Sequence, residues 1–313
     1  MTDHHLPASV ETCHWGYFDA TTQPALTIAS GDRVVIDTVS GGPDVLPPDG
    51  FHVPPELYDI HARSERQVPG HILTGPVAVE GAEPGDVLEV RIEDVSLRQD
   101  WGYNFHRPLS GTLPDEFPQR FDTNIPLDAD RGVATMPWGL ELPLAPFMGV
   151  MGTAPPAEWG RLTSLVPRAF GGNLDCKELV AGTTLYLPVF VPGANFSCGD
   201  GHGCQGDGEV NVTAIETALR GTFTLTVLKG AGFDTLRART PTHLITLAVD
   251  PDLDRCAERA LSDMIDWLSA EAGLTRDQAY MLCSLSADLS ITQTVNGSKG
   301  IHCKILTEYA RAA

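Results

Sequence analysis

The chain has 313 residues and a formal net charge of −20, from 41 acidic and 21 basic side chains. That charge repels a phosphate backbone and argues against nucleic acid as a partner, and a 42% hydrophobic content argues against a disordered chain. No apolar run approaches the ~20 residues of a membrane helix, so no membrane partner is expected.

The opening, MTDHHLPASV, lacks the basic start and apolar centre of a secretion signal, which leads us to expect a cytoplasmic protein. Seven cysteines without a C-x-x-C pair fit reduced thiols better than a disulfide framework. Across the first 250 residues, frequent Gly and Pro cut the chain into short runs, the pattern of a β-rich body. GDRVVIDTV (31–39) and GDVLEVRIEDV (85–95) each open on Gly-Asp and continue as β-branched strands. The segment 100–160 is rich in Pro, Gly and aromatic residues with few strand-like runs, and reads as a loop-rich stretch of the kind that is usually functional, such as a site cover or an oligomer contact.

Beyond it, TLYLPVFVPGANFSCGDGHG reads as strand, Pro-Gly turn, strand and loop, followed by strands EVNVTAIE (209–216) and GTFTLTVLKG (221–230). In the last 60 residues Ala257, Leu261, Met264, Ile265 and Leu268 recur at helical spacing, with Asp252 as N-cap and Gly273 as C-cap. Thr275 and Gln278 form a capping box for a second helix, whose Ala279, Leu282, Leu285 and Leu289 share a face. LSITQTVNGSKGIHCKIL then predicts a hairpin turning at Asn296-Gly297. The expected fold class is mainly β with a C-terminal α/β unit (α+β): a sandwich or barrel-like body with two helices near the C-terminus. The expected segments are 1–110, a β-rich 111–250 carrying the site motifs, and 251–313, joined in one catalytic unit.

Chemistry concentrates in GDGHGCQGDGE (199–209). Asp200 and His202 can turn a carboxylate and an imidazole toward one ion, and Asp175 in GGNLD (171–175) can add a third ligand. Zinc takes such mixed N/O ligands, and calcium, which needs more oxygens, is the alternative. The bland reading is that the aspartates form turns and His202 is a surface residue. Glu209 opens an apolar strand, where desolvation raises a carboxyl toward the range of a general base. Asn173 can hold a carbonyl or amide. His61 and His71 flank a polar loop, and either can complete a metal shell. Cys204 lies in the loop without a Cys-His signature around it, and a small buried hydrophobe is the simpler reading. There is no G-x-S-x-G elbow and no G-x-G-x-x-G, and NGSKG (296–300) is not a P-loop.

HILTGPVAVEGAEPGDVLEV (71–90), GGNLDCKELVAGTTLYLPVFVPGANFSCGDGHGCQGDGEV (171–210) and SADLSITQTVNGSKGIH (286–302) together resemble the acetamidase/formamidase family. The resemblance implies a β-rich cytosolic enzyme, metal-bound and homo-oligomeric, that hydrolyses short aliphatic amides to acid and ammonia. It draws attention to Asn173, Asp175, Asp200, His202, Gln205, Asp207 and Glu209, which lie in matched motifs. Our own assignment of roles makes Asp175, Asp200 and His202 metal ligands and Glu209 the proton-transferring group, with Asp207 next in line. Asn173, Gln205 and His71 bind the amide. Alternatives are a cysteine-nucleophile amidase using Cys204 and a non-catalytic, metal-bound amide-binding module.

Overall fold

A computed structural model describes residues 1–310 of the chain. Two sheets face each other across the main core. The larger has nine strands in the spatial order Asp3–Leu6, Asp32–Asp37, Leu219–Leu228, Val87–Leu97, Thr184–Pro188, Leu236–Arg239, His243–Asp250, Lys299–Leu306 and Asp288–Gln293. The smaller runs Gly171–Asn173, Phe147–Gly152, Phe196–His202, Ile72–Val79 and Cys13–Trp15, with Leu26–Ile28 also paired to Ile72–Val79. Val34, Ile36, Leu88, Val90 and Leu225 of the first sheet pack with Val77, Met148, Met151 and Phe196 of the second. The rings of Phe196 and Phe223 meet across the layer at 5.7 Å. Alternate apolar residues on these strands supply the driving force, each buried side chain being worth roughly 1.5–3 kcal/mol. The body is thus a sandwich without barrel closure, mainly β with helices at its C-terminal end.

The nine-stranded sheet draws strands from all three segments, and the boundaries at 110 and 250 fall between strands that share it. At its C-terminal end, helix Leu253–Ala272 is capped by the Asp252 carboxylate, which accepts from the backbone N–H of Asp254 and Arg255. It ends at Gly273, with φ 68°. Its buried side is Cys256, Ala260, Met264, Ile265, Trp267 and Leu268, one step round from the expected stripe, with Ala257 and Leu261 half-buried at its margin. Helix Arg276–Ser286 carries the expected Thr275/Gln278 capping box. Its expected face is corrected: Ala279 and Cys283 are buried, whereas Leu285 is 83% exposed and Leu289 lies on the next strand.

Two expectations fail in the middle of the chain. The segment 100–160 is not an extended loop. It forms an antiparallel four-stranded sheet of Trp101–His106, Phe121–Asp128, Val133–Thr135 and Glu141–Pro143, followed by the buried strand Phe147–Gly152. Trp101, Tyr103, Phe105, Phe121 and Phe147 lie on these strands, whereas Phe117, Trp138 and Trp159 lie outside them. Nor is 209–216 a strand: it is an irregular turn held by isolated bridges from Gly208 to Gln293 and from Glu216 to both Tyr103 and His202. A third helix, Pro55–Arg63, which the sequence reading omits, buries only Leu57 and Ile60. A stripe that short has no periodicity to read.

Candidate active site and metal centre

Asp200 and His202 are the last residues of a central strand, Phe196–His202, and not members of a free loop. The glycines beside them permit close packing. A Cβ at Gly201 would lie 2.4 Å from the Thr217 carbonyl oxygen. Across the sheet, Gly149 forms the floor of the site: a Cβ there would stand 2.6 Å from Asp175 Oδ1, 2.6 Å from His202 Cε1 and 2.8 Å from Asp200 Oδ2. Asp175 follows strand Gly171–Asn173, and its N–H donates to the Gly149 carbonyl at 3.1 Å. Glu209 comes from the turn after the strand.

Asp175, Asp200 and Glu209 have φ of 45°, 57° and 43°. Left-handed backbone is uncommon outside glycine, and its concentration on three converging carboxylates marks a site whose geometry overrides local preference.

His202 is the hub. Its Nε2 lies 3.4 Å from Asp200 Oδ2, 3.4 Å from Glu216 Oε1 and 4.0 Å from Asp175 Oδ1. Two overlapping sets of possible metal ligands meet there, Asp175–Asp200–His202 and His202–Glu209–Glu216, the ligand atoms of each lying within 4.8 Å of one another. The Phe147 ring stands edge-on to the imidazole at 5.0 Å. Asn296, from the C-terminal hairpin turn, donates Nδ2–H to Asp175 Oδ2 at 2.5 Å and to the Asn173 carbonyl at 3.3 Å. The same hairpin fixes the turn before Glu209: Gly208 N–H donates to Thr292 O, and Thr294 N–H donates to Gly208 O.

The electrostatics are those of an over-filled acidic pocket. Burial, reinforced by Asp175, pushes Glu209 well above the ordinary carboxyl range. Burial raises Asp175, and raises Glu216 to about 7 with Asp200 adding to the rise against His202. For Asp200 burial is outweighed by His71 and His202, which hold it low. Burial alone would lower His202, but Glu216 and Asp200 raise it well above the usual value. Four carboxyls facing so little positive charge would be relieved by a cation.

The hydrogen bonding agrees. Asp175 Oδ1, Glu209 Oε2 and both ring nitrogens of His202 are buried without a hydrogen-bond partner. Buried polar atoms are nearly always satisfied, and these four are free to meet a bound ion, water or substrate. Carboxylate oxygens and an imidazole form a donor set suited to a divalent ion.

Asn173 and Gln205 stand close to this centre. Asn173 Nδ2 donates to the Leu165 carbonyl at 3.2 Å and Gln205 Nε2 to the Asp175 carbonyl at 2.7 Å, which leaves Asn173 Oδ1 and Gln205 Oε1 buried and unpaired. His71 is oriented by Ser164, whose Oγ lies 3.1 Å from Nδ1, and its Nε2 faces Asp200 at 3.7 Å. Asp207, the second carboxylate assigned to proton transfer, is instead paired with Lys177 at 2.9 Å. His61 bonds to the Gly41 carbonyl. Cys204 packs beside Ile125, Leu127 and Ile215, and burial raises its thiol pKa, the reverse of an activated nucleophile.

Sequence reasoning missed Glu216, Asn296 and Gly149. Read as a strand, 209–216 puts Glu209 and Glu216, seven apart, on opposite faces; only the turn brings both to His202. Asn296 looked fully explained as a turn residue.

Two cavities reach the centre. One of about 270 Å³ ends on His71 and Asp200, and Tyr103 and Phe105 line it. The other, of about 620 Å³, opens on Gln205 and Glu209, and Asn104 lines it. Alternation along Trp101–His106 assigns the two to opposite faces of that strand.

A model described as the Acetamidase/Formamidase family matches residues 23–163 and 160–302. The chain is 31% identical over 202 residues to a formamidase from Methylophilus methylotrophus, covering 47% of this chain and 49% of that protein. It is 30% identical over 201 residues to an acetamidase from Mycolicibacterium smegmatis, covering 46% and 50%. The chain therefore spans about half the length of the curated relatives it matches. The crystal structure of an acetamidase from Bacillus halodurans superposes with a TM-score of 0.84 at 31% identity, over 97% of this chain and 98% of that one.

Proposed function

The chain belongs to the acetamidase/formamidase family, and we propose that its buried acid–histidine centre hydrolyses short linear carboxamides to the carboxylic acid and ammonia. The observation that carries this is the meeting of Asp175, Asp200, His202, Glu209 and Glu216 at one buried point with unpaired polar atoms. Relatives named formamidase and acetamidase support the substrate class.

Asp175, Asp200 and His202 would hold a divalent cation, and Glu216, whose Oε1 faces the same His202 Nε2, could add a further oxygen. Zinc is preferred because one donor is nitrogen, and calcium is the alternative. Such an ion supplies Lewis acidity, which polarises a carbonyl and acidifies water.

The protein's own groups do the rest. Glu209, whose carboxyl burial raises, would take a proton from water and return it to the departing nitrogen. The free Asn173 Oδ1 and Gln205 Oε1 accept hydrogen bonds from the amide –NH₂ and set which face of the carbonyl meets water. His71, held by Ser164, contacts the substrate at the inner end of the smaller cavity. Water adds its oxygen to the acyl carbon, the C–N bond breaks, and its protons end on ammonia and the acid.

The seven free thiols support a reducing, cytoplasmic setting. Among the described residues no helix is long and apolar enough to cross a membrane. A homo-oligomer is supported by the outermost strand Asp288–Gln293, which exposes Leu289 and Ile291, and by the preceding helix, which exposes Tyr280, Met281 and Leu285.

The test is ammonia release by purified protein from formamide, acetamide, propionamide and butyramide. Turnover of at least one is expected; turnover of none by metal-replete protein would refute the reading.

A further inference from the structure

The two cavities that reach the centre differ in chemistry, and only one suits the hydrocarbon end of an amide. In the smaller, of about 270 Å³, the Arg107–Asp44 pair at 3.2 Å, Arg66, His61 and His71 stand beside the aromatic rings. An alkyl chain laid there would take water from charged and polar groups and return no hydrogen bond. Water and departing ammonia match that wall.

The larger cavity, of about 620 Å³, is walled by Ile125, Met136, Leu142, Cys204 and Ile215, which belong to one apolar cluster. Most of its polar neighbours are already engaged. Asn211 Nδ2 donates to Asn104 Oδ1 at 2.8 Å, and Asn104 Nδ2 to the Thr213 and Ala214 carbonyls at 3.0 and 2.8 Å. Thr213 Oγ1 donates to the Phe105 carbonyl at 2.9 Å, and Asp207 is paired with Lys177. Its buried unpaired side-chain atoms are Gln205 Oε1 and Glu209 Oε2. An apolar wall thus joins a reactive polar end, which matches the two halves of a straight-chain amide. Cys204 stands at the junction: it precedes Gln205 in the chain, and its small, half-buried side chain packs with the cluster.

We infer that the larger cavity is the acyl subsite, that it takes an unbranched saturated chain, and that Cys204 sets how much chain fits beside the amide. The inference rests on the amidase reading and assigns the two ends of its substrate. The amide group meets Gln205 and Glu209, and the chain lies along Cys204, Ile215 and Met136. The smaller cavity carries water in and ammonia out. The reaction itself is unchanged: the C–N bond breaks, water supplies the hydroxyl to the acyl carbon and a proton to the nitrogen, and no other reactant is consumed.

The experiment compares kcat/KM for formamide, acetamide and butyramide in the full-length, metal-replete chain and in its Cys204→Leu, Cys204→Ser and Phe105→Ala variants, with a melt of each. Binding of butyramide to Glu209→Gln protein, with and without Cys204→Leu, is followed by ligand-observed NMR. Butyramide is expected to exceed acetamide about tenfold, the gain that two further buried methylenes provide. Cys204→Leu fills the cavity beside the amide and is expected to cut the butyramide-to-formamide ratio about fivefold or more. Cys204→Ser, nearly isosteric but polar, is expected to cut it about two- to threefold, and it carries the test if the leucine variant does not fold. Phe105→Ala, in the smaller cavity, is expected to leave the ratio in place. Acetamide turned over as well as butyramide, or a ratio unmoved by either Cys204 variant in folded protein, overturns the inference and leaves the amidase reading intact. A ratio that falls with Phe105→Ala instead puts the chain in the smaller cavity and overturns it too. Hydrolysis of none of the three amides sinks the amidase reading. Binding then decides the subsite: butyramide bound and weakened by Cys204→Leu supports it, and no binding overturns it.

Discussion

At the scale of single residues, the site is a set of carboxyls whose roles can be separated by isosteric change. Glu209→Gln keeps the shape and one acceptor oxygen but cannot take a proton from water near neutral pH. It is expected to lower kcat by about 10²–10⁴-fold with a small change in KM, and to leave metal content unchanged. Loss of the metal as well would make Glu209 a ligand, in keeping with its place in the second ligand set. Asn296 acts through another residue, since its Nδ2–H holds Asp175 Oδ2 at 2.5 Å. Asn296→Ala is expected to weaken metal affinity about 10–100-fold, as loss of an outer hydrogen bond to a ligand does. Competition with a chromophoric chelator measures it, and unchanged affinity would reduce Asn296 to a turn former.

At the scale of elements, the site depends on two strands approaching closely. Gly149→Ala would place a methyl within 2.6–2.8 Å of atoms on Asp175, His202 and Asp200. All three would have to shift, so the variant is expected to lose about 1–3 kcal/mol of stability and most of its metal affinity. Denaturant melts and metal analysis check this, and a normal melt with normal metal content would contradict the described floor. The element scale also separates what was legible in the sequence from what was not. The strands at Asp32–Asp37 and Val87–Leu97 announce themselves by alternation, and the last two helices by their caps, because those signals are local. Asp175, Asp200, His202 and Glu209 could be picked out because they lie in glycine-punctuated motifs. Their convergence, and the arrival of Glu216 and Asn296, depend on contacts more than a hundred residues apart in the case of Asn296 and Asp175. The aromatic run at 101–105 was misread as loop because Pro and Gly surround it, though its alternate residues line two different cavities.

At the scale of the whole molecule, a buried carboxylate paired with partly exposed cations ties distant segments together. Asp37 accepts from Arg220 Nε and Nη2 at 2.6 and 3.0 Å and lies 2.9 Å from His5 Nε2. Burial works to raise its pKa, but the bonds from Arg220 and His5 and the charge of Arg98 hold it below the ordinary value. A carboxyl depressed in the folded state adds stability above its unfolded pKa of about 3.9, and that stability is lost as pH falls through the folded value. Asp37→Asn should therefore cost about 2 kcal/mol at pH 6, with the gap closing below about pH 4. Equal stability of the two proteins at pH 6 would count against the pairing. We propose that the acid–histidine centre is a metal site for amide hydrolysis. It is tested most directly by assaying ammonia release from short amides after chelation and again after adding zinc, with bound metal measured in the same samples. Activity that falls with the metal and returns with it, in wild type but not in His202→Ala, is the expected result. Full activity in metal-free protein, or full metal content and turnover in His202→Ala, would contradict it.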